Sequence, residues 1–385
     1  MSTEAAAARE LAHVIERLPL VDHHVHGATS GPLDRTRFET LITESDRPIP
    51  SFMTQFDSQI GFAVRRWCSP VLGLQPHAGP DDYLARRTEL GAAEVNRRLL
   101  TASGIGRWVI ETGYRGDDVL SPELMAEASG RPAHEVVRIE KVMEEVAASG
   151  TTAADFPERF RAALAERTAG AVGLKSIVAY RYGFDFDPGA PSHREVVDAA
   201  GRWLAGAGGD FRVDDPVLLR FGLWTGVERG LPLQLHAGYG DPDVELHRCD
   251  PLLLTRWLKL VEPHCVDVLL LHCYPFHRNA GYLAQVFPHV YFDVGLGVNY
   301  TGSRSDALIA ESLELAPFSK ILFSSDAWGP AELHLLGAHL FRRGLARVLG
   351  GWVEAGEWTG ADAARVARMI GVENAARVYD LDVPA

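Results

Sequence analysis

Lysine and cysteine are both scarce in this chain. Only Lys141, Lys175, Lys259 and Lys320 stand among its 38 lysines and arginines, so each lysine can be weighed on its own. The four cysteines, Cys68, Cys249, Cys265 and Cys273, form no CxxC pair. That spacing suggests no disulfide framework, and they read as small apolar core residues. No apolar run is long enough for a spanning helix. The opening MSTEAAAARELAHVIERL lacks the basic start and apolar centre of a signal peptide, so it reads as a polar-faced helix and the expected location is cytoplasmic. No repeat, low-complexity tract or linker divides the 385 residues, which read as one domain. The net charge of −13 argues against nucleic acid or an anionic membrane as partner. A small-molecule substrate and a homo-oligomer are the expected partners. Neither GxGxxG nor GxxxxGK[ST] occurs, which disfavours a doubly wound nucleotide-binding sheet.

What the chain does have is a series of short apolar runs separated by helical patterns. The runs are Leu18–His26, Arg107–Gly113, His134–Glu140, Ala171–Tyr180, Leu231–Gly238, Val266–Cys273, His289–Gly295 and Lys320–Ala327. Helical spacing fills most gaps, as in Asp155–Arg167, Pro251–Val261, Ala280–Phe287 and Ser305–Leu315. Apolar strands alternating with helices signal βα units and a parallel sheet. Eight such units predict a (β/α)8 TIM barrel, with a helical insertion at about residues 28–100 and a helical tail from Ala331.

In such a barrel the chemistry lies at the C-terminal strand ends. The first strand ends in VDHHVH. Alternation puts His24 and His26 on one face and His23 on the other, with Asp22 deeper on the face of the pair. The fifth strand ends in His236, the sixth in His272 and the eighth in Asp326. A buried histidine or aspartate is costly unless paired or bound to a metal. Five such groups at four strand ends point to a metal site. Imidazoles with a carboxylate suit zinc, with manganese or iron as alternatives.

These segments carry a resemblance. VDHHVH, LQLHAGYGD, LLHCYPFHRNAGYLAQVFPHVYFDVG and ILFSSDAWG resemble the amidohydrolase superfamily, in particular its amidohydrolase-related branch of metal-dependent hydrolases and non-oxidative decarboxylases. GLKSIVAYRYGF and the closing segment are similar to the FluG-like amidohydrolase domain. The resemblance implies that His24, His26, His236 and Asp326 bind one divalent ion, with Asp326 also handling the proton of the attacking water. It implies that His272 polarises the substrate or binds a second ion.

Other residues leave alternatives open. Lys175 is a bridging carbamate between two metals, a cationic substrate contact, or a core lysine paired with Glu140. Tyr180 and Arg181 follow it and favour substrate binding, since arginine takes carboxylates bidentately. Glu140 and Arg138 share a face at the third strand's end, as a structural pair or as substrate contacts. Glu111 reads as a solvated rim residue. The aromatic stretch Phe52–Pro70, with Asp57, Arg65 and Arg66, is either a helical lid contacting substrate or a packed surface subdomain or dimer contact. His277 and Asp241 are candidates for the mouth of the site, whereas His247 and His264 read as surface residues.

The resulting expectation is a hydrolase cleaving an amide-like C–N bond of a small carboxylate-bearing substrate. A decarboxylase on the same scaffold and a non-catalytic FluG-like binding or signalling domain are the alternatives.

Overall fold

The computed structural model describes residues 3–206, 208–209 and 211–384. The chain divides into two compact units, Met1–His134 with Asp293–Ala385, and Glu135–Phe292.

The first unit contains β1 (Leu20–Val25) and β2 (Ile105–Glu111), paired in parallel with Val25 opposite Ile110. Every residue of β1 is buried. The predicted eighth strand, Lys320–Ala327, is not a regular strand but runs beside β1. His23 N–H donates to Phe323 O at 3.2 Å, Asp326 N–H to His24 O at 3.1 Å and His26 N–H to Ala327 O at 2.8 Å. Regular pairing is lost because side chains take over its hydrogen bonds. Ser325 donates its N–H (2.9 Å) and hydroxyl (2.5 Å) to the Asp22 carboxylate. Asp326 then enters the left-handed region at φ 48°, which Asp and Asn tolerate better than most residues.

Two helices brace this unit. Thr3–Glu16 turns Ala8, Leu11 and Ile15, at helical spacing, onto the long helix Ala331–Glu354. That helix buries fifteen of its 24 residues and approaches the Asp326 segment through Gly337. A Cβ added at Gly337 would lie 2.5 Å from Ser325 Cβ, so only glycine permits this contact. The stretch 28–100 carries helices and no strand among the described residues, including Arg35–Thr40, Gln59–Ala63, Pro80–Leu90 and Ala92–Ala102.

In the second unit β3 (Ala133–Arg138, entered from the first), β4 (Gly173–Ser176), β5 (Leu233–Ala237), β6 (Val268–His272) and β7 (Val290–Phe292) pair in parallel and in chain order. β4, β5, β6 and β7 are buried throughout, which is why they read as continuous apolar runs. Helices follow the strands. Pro216–Arg229, for example, is capped by Asp215 and ends at Gly230 in the left-handed region, φ 71°. β3 is shorter than predicted: it stops at Arg138, and Glu140 lies in the first turn of the helix Ile139–Ala148. All four cysteines are free, and only Cys265 is exposed. Among the described residues no helix is long and apolar enough to cross a membrane.

Candidate metal centre

His24, His26 and Asp326 come together in the first unit. One ligand atom from each lies within 4.8 Å of the others. Asp326 Oδ1 is 3.1 Å from His24 Nε2 and 3.7 Å from His26 Nε2, and the imidazoles meet edge to face with centroids 5.3 Å apart. Two imidazole nitrogens and a carboxylate oxygen aimed at one point are a fitting donor set for a divalent first-row ion.

The surroundings orient these donors. His26 Nδ1 lies 3.1 Å from Glu111 O and 3.3 Å from Glu111 Oε2, which leaves Nε2 for the shared point. A carboxylate behind a ligating imidazole fixes its tautomer and raises its basicity. Glu111 is thus no solvated rim residue. It is 1% exposed, and its Oε1 also accepts the Gly113 N–H at 2.6 Å. Register reveals its role, because Val25 pairs with Ile110 and places Glu111 beside His26.

His334, on the long helix, bonds its Nε2 to the His26 carbonyl at 2.9 Å; burial pushes its pKa down to about 4. No local motif marks it. Asp22 anchors the Asp326 segment through its hydrogen bonds from Ser325, and burial raises its pKa to about 7 despite them. His23 points away from the pair, 3.0 Å from Asp293 Oδ2 and 3.1 Å from the Tyr379 hydroxyl.

The second unit gathers His236, His272 and Tyr180. The His236 ring centroid is 4.7 Å from that of His272 and 4.2 Å from that of Tyr180. His236 Nε2 is buried with no hydrogen-bond partner among the described residues. Burial, and then the positive charge of Lys175, holds its pKa well below the usual value, so the ring is a neutral imidazole, the form that binds metals. Gly240 keeps the space beside it open, since an added Cβ would lie 3.0 Å from this nitrogen and 2.3 Å from the Tyr180 hydroxyl oxygen. His272 ends β6 at φ 68° and Cys273 follows at φ 54°, a strained corner of the kind that clusters at functional sites.

Lys175 is buried on β4 between Arg138 and Gln234. Glu140 is not its partner: the carboxylate accepts the Ser176 hydroxyl at 2.5 Å and the Ile177 N–H at 3.0 Å. Burial raises the Glu140 pKa, and its Oε2 has no hydrogen bond among the described residues. Arg181 pairs through Nη2 with Glu144 at 3.0 Å, while its buried Nε and Nη1 have no partner among the described residues. Arg66 lies on the helical stretch of the first unit, its guanidinium 4.3 Å from the Trp67 ring centroid. Trp67 in turn packs on His339, centroids 4.0 Å apart, so this stretch is held against the long helix. Of the other histidines, His277 is buried, whereas His247 and His264 are exposed as predicted.

The family model described as Amidohydrolase matches residues 73–381. Protein fluG of Emericella nidulans is 31% identical over 98% of this chain, which spans about half (47%) of that relative's length. A solved structure from Lactobacillus casei, assigned as a metal-dependent hydrolase, superposes with a TM-score of 0.84 at 28% identity, covering 96% of this chain and 97% of that one. A uronate isomerase from Bacillus halodurans, at 14% identity, shares the fold, with a TM-score of 0.69 and coverage of 100% and 98%. Residues 73–381 are most of the chain, and the chain belongs to the amidohydrolase family.

Proposed function

We propose that the chain is a metal-dependent hydrolase that cleaves the amide-like C–N bond of a small carboxylate-bearing substrate, on the (β/α)8 barrel expected from its strand pattern. The observation that carries this reading is the convergence of His24 Nε2, His26 Nε2 and Asp326 Oδ1, with Glu111 fixing the His26 tautomer. His236, neutral and with an Nε2 that has no hydrogen-bond partner among the described residues, is the fourth proposed ligand. A single divalent ion, zinc in the first instance, would supply Lewis acidity toward the attacking water.

The remaining chemistry belongs to side chains. Asp326 takes the proton of the attacking water and returns it to the leaving nitrogen. His272 stabilises the charge that develops on the substrate oxygen. The unpartnered edge of Arg181 receives the substrate carboxylate, with Tyr180, Glu140 and Arg66 as further contacts and Lys175 as a cation or second-metal bridge.

Metal analysis of the purified protein should find a bound divalent ion, and His24→Ala should abolish both binding and turnover. Full activity in that variant would sink the reading. Turnover in ¹⁸O-water should put label into a carboxyl product; its absence would favour decarboxylation, and a protein that binds metal and ligand without turnover would be the signalling domain.

A further inference from the structure

Two half-buried aromatic side chains stand beside the metal donors. Tyr114 lies on the loop after β2, its ring centroid 5.7 Å from that of His26. Trp328, two residues after Asp326, meets Tyr114 edge to face at 5.1 Å. Both loops are pinned to the chain that leaves β1. Thr29 N–H donates to Gly329 O at 2.6 Å, Gly329 N–H to Gly27 O at 3.2 Å, and Leu120 N–H to Ala28 O at 2.8 Å. A Cβ at Gly27 would come 2.1 Å from Leu120 O, so the two loops are clamped as closely as backbone allows. The rings therefore form a preorganised wall.

This wall already holds a flat group. The Arg115 guanidinium sits 5.6 Å from the Tyr114 centroid and 5.4 Å from the Trp328 centroid. Arg115 is exposed, and no described carboxylate forms an ion pair that would hold it there. A planar cation on two rings, tied by nothing else, marks the footprint of a planar ligand that can displace it.

We propose that Tyr114 and Trp328 select the substrate by stacking on an aromatic ring, and that Arg115 vacates the wall when the ring enters. This rests on the hydrolase reading and narrows its substrate class to aryl-bearing amides.

The test uses zinc-loaded protein and three neutral probes, benzamide, cyclohexanecarboxamide and acetamide, titrated by ligand-observed NMR. The wild type should bind benzamide about three- to tenfold more tightly than cyclohexanecarboxamide. Trp328→Ala should erase that preference with zinc affinity unchanged, and Trp328→Phe should restore most of it. Arg115→Ala should tighten benzamide binding by up to about threefold, since the occupant is gone. Persistence of the aromatic preference in Trp328→Ala with zinc bound, or weaker binding in Arg115→Ala, would overturn the inference alone. A wild type that binds no zinc would overturn the reading beneath it.

Discussion

Glu332 is fully buried at the start of the long helix, two residues before His334. Its Oε1 accepts the Tyr83 hydroxyl and Arg87 Nε, both at 2.6 Å, and its Oε2 accepts Arg87 Nη2 at 3.1 Å. Burial and then the Glu332 charge push the Tyr83 hydroxyl and the nearby Cys68 thiol well above their usual pKa values, so both stay protonated. Arg87→Met keeps an apolar stem on Phe38, over whose ring the guanidinium lies at 5.2 Å. It leaves the carboxylate buried with one donor and should cost about 3–5 kcal/mol. Glu332→Met strands the guanidinium, 6% exposed, at a similar cost. Together the two changes remove both charges. The double variant should lose only about 1–3 kcal/mol, the cost of the orphaned Tyr83 hydroxyl. Urea unfolding followed by tryptophan fluorescence, compared at equal m-values, measures the cycle. Additive single losses would refute the reasoning, because they would mean that packing rather than paired charge is what the substitutions remove.

Four further outcomes follow from the same geometry. Glu111→Gln should weaken zinc binding about 10- to 100-fold in a chelator competition, while the fold is retained; unchanged affinity would remove Glu111 from the centre. Gly337→Ala should destabilise by about 1–3 kcal/mol and weaken zinc binding by displacing Ser325. Gly350→Ala in the same helix, where the added Cβ meets Ala8 Cβ at 3.9 Å, should instead stabilise by about 0.5–1 kcal/mol in a thermal melt. His339 titrates at about 4 because burial, then Arg343 and Arg342, oppose its charge. Its unfolded value is near 6.5, so stability from the neutral ring is present above pH 6.5 and lost as pH falls toward 4. On going from pH 7 to pH 5 the wild type should lose about 2 kcal/mol more than His339→Leu, and equal losses would exclude the histidine as the cause.

What was legible in the sequence was whatever a local rule governs. Strands buried on both faces show as apolar runs, so each of β1 to β7 overlaps a predicted run. However, β4 stops at Ser176 and the chain turns helical at Val178–Arg181, which takes Tyr180 and Arg181 off the strand, and β7 stops at Phe292. Alternation separates His24 and His26 from His23 with no further information, and the structure sends His23 to Asp293 and Tyr379. Three kinds of feature escaped. The Asp326 segment has the composition of a strand, but Ser325 spends its hydrogen bonds on Asp22, 303 positions away. Glu140 looks like the end of a strand, yet the chain turns helical at Ile139, and its carboxylate meets Ser176 and Ile177 instead of Lys175. Glu111 and His334 act on His26 from distant parts of the chain, and nothing adjacent to either sets it apart from a solvated acid or a core histidine. Metal ligands are conspicuous because a strand must present them in alternation. The groups that tune those ligands need only arrive, from any element, at the right nitrogen or carbonyl. Register comes closest to predicting them: once β1 is laid beside β2 with Val25 opposite Ile110, Glu111 has no neighbour more demanding than the Nδ1 of His26.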